Sequence, residues 1–168
     1  MIKQIPYGLT DFGRIQKENY YYVDKTMFIE KIEMQPSYLF LIRPRRFGKS
    51  LTLAMLEAYY DVRYADQFDE LFGHLYIGQH PTPIHNQFLI MRFNFSEVSS
   101  NVNEVEESFR LHCCGKLSDF VYRYEHLLGK DIWNVLDEKT QADPGAFLSS
   151  INTYATRKGA VSYTHLRA

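Results

Sequence analysis

The chain has 168 residues, 45% hydrophobic and 15% aromatic, which suits one packed domain and excludes a disordered segment. Its formal net charge is −1 with the histidines neutral, so no global field draws it to nucleic acid or an anionic membrane, and anion binding has to be local. Its two cysteines, Cys113 and Cys114, are adjacent; they offer neither a disulfide framework nor paired zinc-ligand spacing and are expected as buried thiols on a helix. The opening "MIKQIPYGLTDF" lacks an apolar signal region and no run reaches the ~18 apolar residues of a membrane span, so a cytoplasmic protein with no membrane contact is expected.

Residues 1–22 begin with turn chemistry (Pro6, Gly8, Gly13) and an aromatic cluster, Tyr20 to Tyr22. "VDKTMFIEKIE" follows with helical spacing at Phe28, Ile29 and Ile32, and Asp24 is placed to cap it. The run "SYLFLI", Ser37 to Ile42, is apolar and bounded by Pro36 and Pro44, the pattern of a strand buried on both faces. A helix is predicted from Lys49 or Ser50, with Leu51, Met55 and Tyr59 on one face and Ala54 and Ala58 between them. The amphipathic stretch "YADQFDELFGHLYIG" closes at Gly78, the prolines of "QHPTPIHNQ" make a loop, and "FLIMRFNF", Phe88 to Phe95, is a second predicted strand. From Ser99 the pattern is helical, ending in a helix with Pro144 at its first position. Strand, glycine loop, helix, strand, helices is the order of an α/β fold with a parallel sheet and crossovers, in which strands 39–42 and 88–95 are expected to pair.

The junction after the first predicted strand carries the chemistry. "LIRPRRFGKSLTL" ends as the phosphate-loop pattern G-x-x-x-x-G-K-[ST] does, with Gly48, Lys49 and Ser50, but Arg43 occupies the place of the first glycine. A triphosphate needs inward backbone N–H groups, a cation for the β- and γ-phosphates and a hydroxyl for Mg²⁺. Gly48 lets the backbone approach, Lys49 supplies the cation, and Ser50 supplies the metal hydroxyl at a helix start whose dipole favours anions. Pro44 can impose the bend that the missing glycine would make. The candidate nucleotide-binding residues are therefore Arg43, Pro44, Arg45, Arg46, Phe47, Gly48, Lys49, Ser50 and Leu51, with ATP and Mg²⁺ as ligands. Arg45 and Arg46 have three readings: phosphate, an acidic partner surface, or solvent. An ordinary helix start also explains "GKS" by itself.

Three stretches resemble the bacterial and archaeal family of AAA-ATPase-like domains, often fused to a C-terminal PD-(D/E)XK nuclease-like domain: "IPYGLTDFGRIQKENYYYVDKTMFIEKIE", "FLIRPRRFGKSLTLAMLEAYY" and "FDELFGHLYIG". In that family an arginine-rich loop replaces the first glycine, so the resemblance accounts for Arg43. It implies an α/β P-loop NTPase-type core, a parallel sheet with flanking helices, that binds nucleotide over residues 1–159 as the N-terminal part of a longer protein, with the nuclease-like domain or another protein as partner. It also implies a Walker B strand with adjacent acids after "TYATRKG", whereas the chain has no Asp or Glu after Asp143. Binding without hydrolysis is the expectation, because metal retention and water activation depend on those acids. Residues 160–168 depart from the family pattern and resemble read-through from cloning or library DNA.

Other residues have weaker claims. Asp24 and Lys25 could lie on the base side of a nucleotide, or be a helix cap and an exposed lysine. Tyr20 to Tyr22 could stack on a base or belong to the core. Asp61, Asp66, Asp69 and Glu70 read as acidic helix surface without a catalytic role. Asn94 and Ser96 read as a phosphate- or water-orienting pair or as a helix cap. His74, His80, His85, His112 and His126 have no metal-ligand spacing, and Trp133 reads as core. Two further functions fit the sequence: a P-loop-shaped protein-interaction or regulatory module without catalysis, and a nucleic-acid contact through "RPRRFGK", which the near-zero net charge weakens.

Overall fold

Asp11 starts the first helix, α1 (Phe12–Lys17), by accepting the Arg14 N–H at 3.0 Å, which turns Phe12 and Ile15 into the interior. This computed structural model describes residues 3–35 and 39–158, which fall into two compact units, Met1–Phe88 and Leu89–Ala168. In the first unit follow α2 (Phe28–Glu33), α3 (Lys49–Tyr60), a 3₁₀ turn Val62–Gln67, α4 (Phe68–Phe72) and α5 (Tyr76–Gln79). α1 packs on α3 and α4. The helical face expected on α3 is present: Met55, Ala58 and Tyr59 are buried and Leu51 and Ala54 half-buried.

The core of this unit joins Phe12, Ile29, Met55, Tyr59, Leu71, Phe72 and Ile77. Phe72 lies 5.0 Å from Phe12 and 5.5 Å from Tyr59 between ring centroids, the latter edge-on, a geometry that suits the ring quadrupoles. Tyr22 meets Phe12 edge-on at 5.5 Å, and burial, with the nearby Asp24 charge, pushes its phenol up to about 12. It is therefore core, as one of the two readings had it, while Tyr21 is exposed. A directed chain of hydroxyls ties the unit together: the Tyr59 hydroxyl bonds Thr82 Oγ1, which donates to Glu33 Oε1, and Tyr60 donates to the same oxygen. Desolvation and that carboxylate raise the Tyr60 phenol, so the proton stays on the tyrosine.

The second unit is built on α6 (Val105–Arg123), α7 (Glu125–Leu128), a 3₁₀ turn Lys130–Asn134, α8 (Glu138–Ala142) and α9 (Pro144–Arg157). α6 buries Cys113, Leu117, Phe120 and Val121, and α9 buries Phe147, Ile151 and Ala155; both follow the 3.6-residue period. Pro144 holds the first turn of α9 and Asp143 caps it through the Ala146 N–H at 2.6 Å. Cys113 is buried and Cys114 half-buried, both free. Trp133 is only half-buried, lying 4.5 Å from the exposed Tyr122 ring.

The expected parallel sheet is not there. Among the described residues the only β-type pairing is an isolated parallel bridge between Asp61 and Phe88, so the α/β P-loop sheet gives way to a helical fold. Leu39 to Ile42 forms no strand and is largely exposed, with Phe40 81% and Ile42 91% accessible and only Leu41 half-buried. No backbone hydrogen bond joins these four residues to any described residue; Ser37 and Tyr38, the start of that predicted strand, lie outside the described residues. The second predicted strand fails for a different reason. Leu89 and Ile90 are buried as expected, but the Tyr124 hydroxyl takes both backbone groups of Ile90, accepting from its N–H at 2.8 Å and donating to its carbonyl at 3.3 Å. One side chain thus does what a neighbouring strand would do. The apolar runs were legible; the partners that make an apolar run a strand were not.

Asp61 is a second correction. It is no surface carboxylate but fully buried, held by Arg63 at 2.6 Å, with Glu57 3.5 Å from the same guanidinium nitrogen. Asp66, Asp69 and Glu70 are exposed as expected. The amphipathic stretch around them is broken at Gly73, and Gly78 lies inside α5 rather than closing it. Its role there is close approach: a Cβ on Gly78 would fall 1.9 Å from the Phe72 carbonyl oxygen. The tail 160–168 and Gly159 lie outside the described residues.

Candidate functional site

The loop from Arg43 to Gly48 leads into α3, which begins at Lys49 as the sequence predicts. Its first feature is a turn in which the Phe47 N–H donates to the Pro44 carbonyl at 3.4 Å. Arg46 occupies the third position of that turn with φ 67°, a left-handed conformation that such turns require and that side chains resist. Gly48 then caps α3 with φ 74°; no atom lies within 4 Å of the place its Cβ would occupy. Glycine is required here by backbone conformation, not by space.

The Gly48 carbonyl is doubly held, by the Thr52 N–H at 2.8 Å and the Thr52 hydroxyl at 3.0 Å. Thr52 N–H is thus the first donor engaged along α3. The preceding N–H groups of Lys49, Ser50 and Leu51 find no backbone acceptor among the described residues. Lys49 and Ser50 stand at the first two positions of α3, where the helix dipole is positive. Pro44 to Ser50 are exposed and Arg43 and Leu51 half-exposed. Among the described residues no hydrogen bond or ion pair engages the side chains of Arg45, Arg46, Lys49 or Ser50, whereas Arg43 Nη1 donates to the Phe47 carbonyl at 3.3 Å. The loop carries exposed positive side chains next in sequence to backbone N–H groups that have no backbone acceptor among the described residues, a combination suited to an anion with several oxygens.

Asp24 and Lys25 have separate positions. Asp24 Oδ1 accepts from the Thr26 N–H at 2.8 Å and the Thr26 hydroxyl at 2.7 Å, and Oδ2 accepts the Tyr76 N–H at 2.8 Å at the start of α5. Thr26, fully buried, in turn accepts the Ile77 N–H at 3.1 Å. Partial burial pulls the Asp24 carboxyl upward, but the bonds from Tyr76 and Thr26 outweigh it, and its pKa lies below the ordinary 3.8. Asp24 therefore caps a turn and α5 rather than α2, whose N-cap is Met27 without a side-chain bond. Lys25 is exposed. Asn94 resolves as a cap: it accepts from the Ser96 hydroxyl at 2.8 Å and from its N–H at 3.4 Å, ahead of the 3₁₀ turn Phe95–Glu97. No group of three or more His, Cys, Asp or Glu side chains placed to hold a metal occurs among the described residues.

Sequence reasoning missed Thr26 and Thr52. The signal for the first was the D-x-T spacing of Asp24 and Thr26, which makes a local side-chain turn; for the second it was a threonine four residues after the capping glycine.

A family profile described as a predicted AAA-ATPase matches residues 6–162. The chain belongs to the AAA-ATPase-like family. Over 55 residues it is 49% identical to an uncharacterized protein in the vnfD 5' region of Azotobacter chroococcum mcd 1. That stretch is 32% of this chain and 11% of the relative, so the chain spans only a small part of the curated protein it matches. No solved structure matches it. The AAA-ATPase-like assignment supports a coarse ATPase-like reading, and no helix among the described residues is long and apolar enough to cross a membrane.

Proposed function

We propose that this AAA-ATPase-like chain binds ATP with Mg²⁺ through the loop Arg43–Leu51. The observation that carries the reading is a left-handed Gly48 capping α3, followed by Lys49 and Ser50 and by three N–H groups without a backbone acceptor. Lys49 neutralises the β- and γ-phosphates, Ser50 ligates Mg²⁺, and Arg45 and Arg46 add positive charge at the rim. Lys25 serves the base side, with Asp24 fixing its segment against α5. Residues 1–159 act as the nucleotide-binding part of a longer cytoplasmic protein whose nuclease-like domain or protein partner responds to the nucleotide.

The test is titration with a fluorescent ATP analogue, with and without Mg²⁺. Lys49→Ala removes most of the affinity, and Ser50→Ala chiefly removes the Mg²⁺ dependence. Unchanged affinity in Lys49→Ala ends the nucleotide reading. A second reading, a protein-interaction module, is favoured by the apolar side chains flanking the same loop: Phe40, Ile42 and Phe47 are all exposed.

A further inference from the structure

We propose that Arg43 is the positioning residue of the phosphate loop, closing it through the Phe47 carbonyl and not by touching phosphate. This rests on the nucleotide reading of the same loop. In the standard pattern the first glycine makes the tight turn at this position. Arg43 has a side chain where that glycine has none, and the side chain folds back along the loop it opens.

Two bonds converge on Phe47. Its N–H goes to the Pro44 carbonyl at 3.4 Å, and its carbonyl accepts Arg43 Nη1 at 3.3 Å. Both peptide units flanking Phe47 are thereby oriented. In a planar trans peptide the carbonyl and the following N–H point in opposite directions. Drawing the Phe47 carbonyl toward Arg43 therefore directs the Gly48 N–H of the same peptide unit away from the guanidinium. The clasp also spans Arg46 and adjoins Gly48, which are left-handed at φ 67° and 74°. Arg46 resists that conformation, and a bond bracketing it holds the loop in the binding geometry before ligand arrives. Arg43 is half-exposed while Pro44 to Ser50 are exposed, consistent with a side chain laid against its own loop.

A direct phosphate contact by Arg43 makes different predictions, because it adds a charge interaction that salt screens and that grows with phosphate number. Fluorescent ATP and ADP analogues are titrated into the full chain over a range of salt concentrations, for wild type, Arg43→Ala, Arg43→Lys, Arg43→Gly and Lys49→Ala. The clasp predicts that Arg43→Ala weakens both analogues alike by about fivefold, the net scale of one ordinary hydrogen bond, since exposure to water screens the charge of this donor. The salt dependence and the ATP-to-ADP ratio stay at wild-type values. Arg43→Lys recovers part of the loss because an ammonium can donate to the same carbonyl. Arg43→Gly, which recreates the standard motif, does not.

Wild-type affinity in Arg43→Ala, with Lys49→Ala defective, overturns the positioning role and leaves the nucleotide site standing. A flattened salt dependence or a selective loss of ATP over ADP overturns it in favour of direct contact. A wild-type chain that binds neither analogue removes the nucleotide reading and this inference together.

Discussion

Replacing Asp24 with alanine separates a structural role from a ligand role, and its size follows from three bonds. The substitution removes the acceptor for the Thr26 N–H, the Thr26 hydroxyl and the Tyr76 N–H. Thr26 is fully buried, so its two donors lose their partner where water does not readily replace it. An orphaned buried donor costs about 1–3 kcal/mol, and the exposed Tyr76 N–H at the start of α5 adds about 0.5 kcal/mol. Water entering at the half-exposed carboxylate position offsets part of this, leaving a loss of about 3 kcal/mol for Asp24→Ala. Asp24→Asn keeps one acceptor oxygen and loses about 1 kcal/mol. Denaturation followed by far-UV circular dichroism, without nucleotide, gives the loss as a lowered midpoint at constant m. The single tryptophan, Trp133, lies in the other unit and would report less directly. Hydrogen exchange supplies the local readout, with the Tyr76 and Ile77 amides losing protection first. The pH dependence follows the depressed carboxyl. Its stabilisation is complete above the ordinary 3.8 and disappears as pH falls through the lower folded value, so wild type loses stability on acidification that Asp24→Asn does not. A loss below about 0.5 kcal/mol in Asp24→Ala, with unchanged exchange at Tyr76 and Ile77, would refute the cap and return Asp24 to the ligand side.

Arg46→Gly relieves a left-handed conformation worth about 1–2 kcal/mol against an unfolded-state entropy cost of about 0.5–1 kcal/mol, so a gain near 0.5 kcal/mol is expected. Arg46→Val should instead destabilise by about 1 kcal/mol or more, and equal stability of the two variants by chemical denaturation contradicts the turn. Tyr124→Phe leaves the Ile90 N–H without the hydroxyl it donates to in the interior, a loss of about 2 kcal/mol that Trp133 fluorescence can follow; a loss under about 0.5 kcal/mol means that Ile90 has another partner. The Asp131 carboxyl, held down to about 2 chiefly by the Tyr154 hydroxyl and then by Lys158, should titrate near that value by NMR. It should move back toward 3.8 in Tyr154→Phe, and an unmoved midpoint would discount the Tyr154 bond.

Local signals decided much of this protein without help from the fold. The start of α3 at Lys49 was legible because a glycine followed by lysine and an apolar helical period is a boundary whatever lies around it. Pro144 and Asp143 fixed the beginning of α9 in the same way, and Asn94 announced a cap. Family membership was legible because three stretches of residues carry it, independent of how they pack. What only the tertiary structure decided was the fate of groups whose partners lie far along the chain. Whether "LFLI" and "FLIMRFNF" become strands depends on a second backbone, and periodicity carries no information about one. In this structure Tyr124, 34 residues away, satisfies Ile90 instead. Asp61 read as acidic helix surface, and although its ion-pair partner Arg63 is only two residues on, its burial follows from segments far along the chain: Asn86 Nδ2, 25 residues away, donates to its carbonyl. Asp24 was ambiguous between cap and ligand because the amide that occupies its second oxygen belongs to Tyr76, 52 residues on. Turns and helix starts are set by bonds between near neighbours, so the sequence displays them; strand pairing, burial and caps supplied from far along the chain are set by packing across long loops, so only the folded chain does.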